Sequence, residues 1–308
     1  MKIALIIPSL NGGETFYALV ESIEAQSIRP DRKILIDSGS NDATVSIARE
    51  YGFEILPIKK RNFNHGGTRQ MGVEFVAECE IIIFLTQDAI LSNNRSLEKL
   101  IVSFCEKEVG AAYGRQLPHL HSGVIGAHAR LFNYPKENKL KSFKDAEKIG
   151  IKTAFISNSF AAYRRESLIT VGGFPQNTIL GEDTCVAAKM LLAGWGIYYC
   201  AEAEVYHSHD YSFMQEFRRY FDIGVFHTRE SWIREKFGQA EGEGLRFVSS
   251  EFKYLMNKNK YFLIPSLFIR TFLKLVGYKL GLIEKMLPIK IKKILSMHKG
   301  YWDRVSSL

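Results

Sequence analysis

The stretch Ile81-Ile-Ile-Phe-Leu-Thr-Gln-Asp88 is an apolar run, rich in β-branched Ile, that ends in polar side chains and an acid. Such a run is typical of a strand that is buried on both faces of a parallel sheet. Similar runs precede it and alternate with segments that have apolar residues at helical spacing. The predicted strands are residues 3–7, 33–36, 54–58 and 81–85, and the predicted helices are residues 14–26, 44–51 and 68–78. This βαβα order predicts an α/β fold with helices on both faces of the sheet.

The second half of the chain mixes short apolar runs with longer helical segments. The strands expected there are residues 111–113, 156–163 and 196–200, and residues 182–193 are expected to form a helix. From about Phe213 onward the spacing of apolar residues is helical. The sequence therefore predicts a mixed, mainly parallel sheet in a domain of residues 1–230, followed by a helical, basic extension of residues 231–308.

The composition is that of a folded globular protein. The 308 residues are 46% hydrophobic and 24% charged, which is enough apolar surface for a packed core and argues against disorder. Cys79, Cys105, Cys185 and Cys200 lack the paired spacing of a zinc site, so we expect unpaired core residues in a reducing compartment. No apolar run reaches the length of a membrane span, so no transmembrane helix is predicted.

Positive charge is concentrated near the C-terminus. Residues 253–299 contain eleven Lys or Arg and one acid, Glu284, so this segment carries +10, whereas the whole chain carries +8. Motifs that read nucleic-acid bases are absent, so nucleic acid is not expected as a partner. Residues 264–293 mix apolar and basic side chains, with Pro265 and Pro288 as interruptions, which favours short helices at an anionic membrane surface. A helical cap with a solvated basic face is the alternative.

The residues after the first two strands are candidates for ligand binding, because ligands of such sheets bind beyond the carboxyl ends of the strands. Pro8-Ser-Leu-Asn-Gly-Gly-Glu14 follows the first strand, and its small residues let the backbone approach a ligand. Asp37 follows the second strand, where its carboxylate can accept a hydrogen bond from the imide N–H of a nucleotide base. A tight turn before a helix is the alternative for the first segment.

Two further sets of residues suggest chemistry. Asp88 ends the strand quoted above, where a carboxylate can hold a metal, and Glu182 and Asp183 stand at a predicted helix start, where one can act as a base. A carboxylate that holds a metal, together with a separate carboxylate that acts as a base, suits transfer of a group from a diphosphate-linked donor. His207 and His209 alternate, so on an extended segment they point to the same side. Structural roles stay open for each set. Asp88 can be an acid that only ends a strand, Glu182 and Asp183 can complement a helix dipole, and His207 can anchor a loop.

Taken in order, these segments resemble the family 2 glycosyltransferases of GT-A fold. The resemblance rests on Pro8-Ser-Leu-Asn11, Asp37-Ser-Gly-Ser-Asn-Asp-Ala-Thr44, Asp88 and Glu182-Asp183, and it covers about residues 1–225. Four further segments look like the bacterial rhamnosyltransferases of polysaccharide assembly, namely residues 62–70, 85–89, 113–116 and 217–224. The resemblance implies a Rossmann-like GT-A domain, a nucleotide-sugar donor and inversion at the anomeric carbon.

The resemblance also implies a set of donor-binding residues. They are Pro8, Ser9, Asn11, Asp37, His65, Gly66, Arg69, Gln87 and Asp88. Asp37 would contact the nucleotide base. Gly66 and Arg69 suit a diphosphate, because glycine permits close approach of the backbone and arginine offers a planar fork of donors. A turn leading into the next helix is the alternative for this segment.

The same resemblance implies the metal and the base. Asp88 takes the place of the family's metal motif, although Thr86 stands where the usual Asp-x-Asp has its first acid. One carboxylate fits Mg²⁺ or Mn²⁺, with phosphate and water as further ligands, and His207 is the expected additional ligand. Asp183 matches the family's general base, and Glu182 is expected to orient the loop or the acceptor.

The leading expectation is an inverting, metal-dependent glycosyltransferase that moves L-rhamnose from dTDP-L-rhamnose to a lipid-linked saccharide in O-antigen assembly. Trp195 is expected at the acceptor sugar, with core packing as the alternative. We expect a cytoplasmic protein that lies peripherally at the inner face of the membrane.

Three alternatives remain open. The first is the same family with a UDP-hexose or UDP-N-acetylhexosamine donor. The second, a sugar-nucleotide nucleotidyltransferase, should carry a cationic glycine-rich loop after the first strand, and Asn11-Gly-Gly-Glu14 has no such cation. The third is a non-catalytic nucleotide-binding membrane scaffold, and the presence of Asp37, Asp88 and Asp183 argues against it.

Overall fold

The computed structural model describes residues 1–239 and 242–305. Within them, nine strands form one sheet: β1 Ile3–Ser9, β2 Arg32–Asp37, β3 Glu54–Pro57, β4 Ile81–Leu85, β5 Ile90–Leu91, β6 Val109–Leu117, β7 Lys139–Lys141, β8 Phe160–Arg164 and β9 Gly196–Tyr206. The strand order is β3-β2-β1-β4-β8-β6-β9, and β5 and β7 both pair with β9.

Helices surround the sheet and form the C-terminal part of the chain. They are α1 Gly13–Glu24, α2 Thr44–Glu50, α3 His65–Phe75, α4 Ser96–Val102, α5 Val124–Asn133, α6 Ala146–Ile149, α7 Arg165–Thr170, α8 Glu182–Leu192, α9 Phe213–Arg229, α10 Ser231–Phe237, α11 Glu243–Asn257, α12 Ile264–Leu282, α13 Ile289–Leu295 and α14 Lys299–Val305. Short 3₁₀ helices lie at Lys60–Asn62, Ser103–Cys105, Phe143–Asp145, Gly150–Ala154, Tyr261–Leu263 and Glu284–Met286.

The first half of the chain has the predicted parallel arrangement. Strands β1, β2, β3 and β4 pair in parallel, and alternate residues of β1 enter two separate apolar layers. Ala4 and Ile6 pack in one layer, while Leu5 and Ile7 pack in the other. Burial on both faces explains why these strands are continuous apolar runs.

The second half departs from the prediction. Among the described residues, the sheet has four parallel and four antiparallel strand pairs, so the mixed sheet is confirmed but parallel pairing predominates only in the first half. The strand predicted at residues 156–163 begins only at Phe160. Asn158 is the reason, because its side chain bonds Glu182 and Tyr163 and holds this segment as a loop.

The cysteines follow the prediction with one exception. Cys79, Cys185 and Cys200 are buried and free, as expected of small core residues. Cys105 is exposed, because it ends a 3₁₀ turn at the surface rather than a core helix.

Strand β5 positions the end of β4 against the end of β9. Ile90 pairs with Tyr206 and Leu91 with Val205 in an antiparallel ladder. Continuing this register toward Asp88 places that residue beside residues 207–209. A ladder of two residues therefore brings together side chains that lie far apart in the sequence.

The C-terminal helices pack on the body of the protein through close backbone contact. Gly277 and Gly281 of α12 face the carbonyl groups of Phe217 and Phe221 on α9, and a Cβ atom at either glycine would overlap a carbonyl oxygen. Gly224 of α9 lies against Gly281 in the same way. The absence of side chains lets the two helices approach closely.

Polar contacts continue this attachment to the end of the described chain. Asp222 on α9 accepts hydrogen bonds from the backbone N–H groups of Met297 and His298. Arg304 donates to the carbonyl of Phe63, in the first half of the chain. The division of the chain at residue 230 stays a prediction, and the residues on its two sides are in direct contact.

By length and composition alone, one helical stretch could cross a membrane, although no transmembrane helix is predicted from the sequence. It is Tyr261–Leu282, of 22 residues. The prediction rested on the lack of an uninterrupted apolar run, and this stretch indeed contains Arg270, Lys274 and Lys279 among many bulky apolar residues.

Gly281→Ala is expected to destabilise the protein by about 1–3 kcal/mol, the usual cost of overpacking, because the new methyl group meets the α9 backbone. Gly244→Ala is the matched control, since a Cβ there meets no atom within 4 Å and alanine favours a helix. Thermal unfolding measures both variants. An equal melting temperature for the two would contradict close helix contact as the reason for glycine at position 281.

Candidate active site

A cavity of about 960 Å³ opens at the carboxyl ends of strands β4, β6 and β9. Helices α3, α5, α8, α9 and α12 contribute further walls. The polar and charged lining includes His65, Arg69, Asp88, Gln116, Arg130, Asn158, Glu182, Asp183, His207, His209, Glu216, Arg219, Arg270, Lys274 and His298. The position matches the ligand site expected for a sheet of this type.

Asp88, His207 and His209 form one cluster in this cavity. Their potential ligand atoms lie within 4.8 Å of one another. His207 Nε2 lies 3.5 Å from Asp88 Oδ1, and His209 Nε2 lies 4.0 Å from Asp88 Oδ2. One carboxylate and two imidazoles at this separation fit a divalent cation with open positions for phosphate oxygens and water.

The hydrogen bonds of His207 prepare it to bind a metal through Nε2. Its Nδ1 lies 2.9 Å from Gln116 Oε1, which also accepts a 2.7 Å hydrogen bond from Arg130. Because that oxygen is an acceptor, Nδ1 carries the proton and Nε2 presents its lone pair toward Asp88. Burial lowers the pKa of His207 to about 3, so the ring is neutral, as metal ligation requires.

The sequence indicated part of this cluster. Asp88 and His207 were predicted as metal residues, and the structure brings them together. His209 was seen only as the partner of His207 on an alternating segment, and Gln116 carried no predicted role. The signal for Gln116 was its position at the end of strand β6, beside the ends of β4 and β9.

Arg69 and Glu182 form a buried ion pair between α3 and α8. Arg69 Nη1 lies 3.1 Å from Glu182 Oε1, and both side chains are less than a tenth exposed. Burial opposes ionisation of Glu182, but Arg69, His65 and the hydrogen bond from Asn158 together outweigh burial and hold the pKa of Glu182 below its ordinary value. Arg69 was predicted to bind the donor, yet it is already paired inside the protein.

Asp183, next to this pair, is partly exposed to the cavity. Its carboxylate accepts hydrogen bonds from the backbone N–H of Thr184 at 2.8 Å and of Asn158 at 3.3 Å. Burial and the negative charge of Glu182 raise the pKa of Asp183 to about 7. A carboxylate with a pKa near neutrality suits proton abstraction at physiological pH.

His65 and Gly66 form the start of α3 at the cavity. The His65 ring lies 5.1 Å from the His298 ring, and burial lowers the pKa of His65. A Cβ atom at Gly66 would overlap the carbonyl oxygen of Pro175, so packing alone requires glycine there. Gly66 does not line the cavity, and its predicted role at the donor has a structural alternative.

The other predicted donor residues form a separate cluster at the ends of β1 and β2. Ser9 Oγ and the Leu10 N–H both donate to Gln87 Oε1, at 2.7 and 2.9 Å. The Asn11 side chain accepts a hydrogen bond from the backbone N–H of Asn41, and Asp37 accepts from the N–H groups of Gly39 and Ser40. Pro8 pairs within the sheet beside Ile36. None of the predicted residues in this cluster, Pro8, Ser9, Asn11, Asp37 and Gln87, lines the described cavity.

Trp195 lies away from the cavity, and its predicted contact with the acceptor is not supported. It follows the far end of α8, whose 11 residues extend about 16 Å from Glu182 at a rise of ~1.5 Å per residue. Its side chain packs against Gly110 and the core. Helix α8 carries the chain to the opposite end of the sheet, and Trp195 has there the core packing that the sequence offered as its alternative.

The model of the family described as "Glycosyl transferase family 2" matches residues 4–172. The chain belongs to this family. The transferase is 48% identical over 306 residues to the O-antigen chain rhamnosyltransferase RfbN of Salmonella typhimurium, an alignment that covers 99% of this chain and 97% of RfbN. It is 47% identical over 306 residues to the O-antigen chain rhamnosyltransferase WbaN of Salmonella anatum, with 98% and 96% covered.

The fold agrees with this membership. The mannosyltransferase PcManGT from Pyrobaculum calidifontis, solved in complex with GDP-Man and Mn²⁺, aligns with a TM-score of 0.59 at 15% identity. The alignment covers 99% of the transferase and 86% of PcManGT. The predicted GT-A fold of the transferase is therefore confirmed.

Gln116→Leu is expected to weaken Mn²⁺ binding about 10- to 100-fold, because His207 loses the acceptor that fixes its ring and its tautomer. Gln116→Glu is the control, since it keeps an oxygen at that position. Titration calorimetry with Mn²⁺ alone measures both variants. Unchanged affinity in Gln116→Leu would show that His207 is oriented by other contacts or does not bind the cation.

Proposed function

We propose that the transferase moves L-rhamnose from dTDP-L-rhamnose to a lipid-linked saccharide in O-antigen assembly. The observation that carries this proposal is the 48% identity, over nearly the full length of both chains, to a protein named as an O-antigen chain rhamnosyltransferase. The cavity supplies the groups that such a transfer needs, namely a carboxylate with a raised pKa and a cluster fit for a divalent cation.

Asp183 is the proposed base. The oxygen of an acceptor hydroxyl bonds to the anomeric carbon as the bond from that carbon to the donor diphosphate breaks, and the hydroxyl proton passes to Asp183. The bonding electrons leave with the diphosphate. Because the base and the leaving group lie on opposite sides of the sugar, the configuration inverts. Glu182 has no free role in proton transfer, since its charge is used by Arg69.

Asp88, His207 and His209 are the residues that would hold Mg²⁺ or Mn²⁺. The cation supplies Lewis-acid stabilisation of the diphosphate. Since Mg²⁺ strongly prefers oxygen ligands and this cluster offers two imidazoles, we expect Mn²⁺ to bind more tightly.

Asp37 is the proposed contact of the thymine base. Its carboxylate is buried at the end of β2 and is fixed by hydrogen bonds from the loop that follows. A carboxylate offers about four acceptor sites, so it can accept a further hydrogen bond from the imide N–H of thymine. Uracil presents the same N–H, so the sugar and the 5-methyl group must provide any preference for dTDP-L-rhamnose.

The test is transfer to a lipid-linked saccharide with dTDP-L-rhamnose, UDP-glucose, UDP-N-acetylglucosamine and GDP-mannose as competing donors. We expect transfer of rhamnose, with an anomeric configuration opposite to that of the donor. Asp183→Asn should lower turnover by about 10²- to 10⁴-fold, the usual contribution of a positioned base. Activity of the unaltered protein should fall as the pH drops below about 7, because Asp183 must be ionised to accept the proton.

Donor binding provides the control, since Asp183→Asn should bind dTDP with nearly unchanged affinity. Near-normal turnover in Asp183→Asn, or retention of the donor configuration in the product, would remove Asp183 from the role of base. Preferred transfer of another sugar would overturn the choice of rhamnose and leave the family assignment intact.

The transferase is further proposed to bind the cytoplasmic face of the membrane through α12. Phe268, Phe272 and Leu275 on this helix are each more than half exposed. The opposite side of α12 packs on α9, and Arg270 and Lys274 reach Glu216 at 3.2 and 3.6 Å. A helix attached in this way along its length fits an orientation in the plane of the membrane surface better than a span across it.

Basic residues of the C-terminal segment are proposed to supply the complementary charge for anionic lipid. Lys258, Lys279, Lys285 and Lys290 are exposed and form no ion pair within the described part of the chain. Each such lysine near an anionic surface contributes about 1 kcal/mol of binding free energy. Insertion of apolar side chains and electrostatic attraction by lysines of the same segment would therefore both contribute to binding.

Phe272→Asp is expected to weaken binding to phosphatidylglycerol-containing vesicles about 10-fold or more. An aromatic side chain that would be buried in the lipid is replaced by a negative charge that the anionic lipid repels. Ile169→Asp is the matched control: Ile169 is 58% exposed against 64% for Phe272, but it lies on α7, outside the basic segment. Flotation at low salt measures both. Failure of the unaltered protein to float with anionic vesicles would contradict the membrane proposal.

A further inference from the structure

The cavity contains several cations, and most of them already have partners. Arg69 pairs with Glu182 at 3.1 Å, and Arg130 donates to Gln116 Oε1 at 2.7 Å. Arg270 and Lys274 share Glu216. Each of these four cations therefore already has a hydrogen-bond or ion-pair partner inside the protein.

Arg219 differs from the other cavity cations. It lies on α9, lines the cavity and is exposed, and within residues 1–239 and 242–305 its guanidinium makes no hydrogen bond or ion pair. Its one described contact is with the face of Tyr211, whose ring centre lies 5.7 Å from the guanidinium carbon. Stacking of this kind orients a guanidinium while leaving its N–H donors free.

Arg219 is linked through Tyr211 to the cluster at Asp88, and its charge also affects His298. The Tyr211 ring lies 5.3 Å from the His209 ring, which belongs to the cluster around Asp88. On the other side, burial lowers the pKa of His298 to about 3, and the charge of Arg219 adds to this effect. Arg219 therefore lines the same cavity as the cluster at Asp88 and as His65 and His298.

We propose that Arg219 binds the diphosphate of the nucleotide-sugar donor and stabilises the charge that it gains on leaving. This inference rests on the proposed function. When the bond between the anomeric carbon and the diphosphate oxygen breaks, the electron pair stays on that oxygen and the nucleoside diphosphate becomes more negative. A guanidinium with free donors matches phosphate oxygens in charge and geometry. Arg219 thus takes the role that the sequence had suggested for Arg69.

Arg218 provides a matched control on the same helix. Its Nε donates to the carbonyl oxygen of Ile294 at 3.1 Å, and it does not line the cavity. Removal of its charge changes the net charge of the protein as removal of Arg219 does, but leaves the cavity unaltered.

Titration calorimetry with dTDP and with dTMP, each with and without Mn²⁺, tests the proposal on Arg219→Gln, Arg219→Lys and Arg218→Gln. Arg219→Gln should bind dTDP about 10-fold or more weakly, as expected for loss of a charge-assisted hydrogen bond. The loss should be smaller for dTMP, which lacks the second phosphate. Arg219→Lys should recover part of the affinity, and Arg218→Gln should bind as the unaltered protein does.

Binding of dTDP by Arg219→Gln within twofold of the unaltered protein would overturn the assignment, and so would an equal loss in Arg218→Gln. The melting temperature of Arg219→Gln should stay close to that of the unaltered protein, because within the described residues the side chain loses only its contact with the Tyr211 ring and no hydrogen bond or ion pair. Failure of the unaltered protein to bind any of dTDP, UDP or GDP would instead contradict the proposed donor class. The two failures are thus distinguishable.

Discussion

The buried ion pair between Arg69 and Glu182 is the constraint on which the arrangement of the site depends. It joins the start of α3, in the parallel half of the sheet, to the start of α8, in the mixed half. Removal of one partner from such a pair typically costs about 3–5 kcal/mol, because the other charge is left buried. With Glu182 directed toward Arg69, the next residue, Asp183, is turned to the cavity. Asn158 stabilises these two orientations by donating a hydrogen bond to each acid. Its side chain donates to Glu182 and its backbone N–H donates to Asp183. The adjacent negative charge is in turn one cause of the raised pKa of Asp183.

The C-terminal segment completes the cavity from the other side. Helix α12 contributes Arg270 and Lys274 to the lining, and His298 lies against His65. This is possible because glycine contacts hold α12 close to α9. The same helix leaves its outer face apolar and exposed. A single element thus forms part of the site and the face proposed to meet the membrane. On these proposals, the proposed lipid-linked acceptor would enter the cavity near the bilayer.

The parts of this structure that the sequence predicted are those set by local patterns. Continuous apolar runs identified β1 to β4, and acids at a strand end and a helix start indicated Asp88 and Asp183, which the structure places in one cavity. Contacts between distant segments were not predictable in this way. The pairing of Arg69 with Glu182, and the two-residue ladder that brings His209 to Asp88, depend on how the mixed half of the sheet folds back. The position of Trp195 likewise depends on tertiary structure, because helix α8 places it at the end of the sheet opposite the cavity.

The substitution of Thr86 for the first acid of the family's metal motif has an electrostatic consequence. The cluster at Asp88 has one carboxylate and two neutral imidazoles, so a divalent cation bound there would keep an excess of one positive charge. Two carboxylates would compensate the cation fully. A less compensated cation attracts a diphosphate more strongly, since the site itself contributes less repulsion. Few additional cationic side chains are then needed to compensate the negative charge of the departing nucleoside diphosphate. This agrees with a cavity in which Arg69, Arg270 and Lys274 are committed to internal carboxylates, while Arg219 alone among the described lining cations has no hydrogen-bond or ion-pair partner.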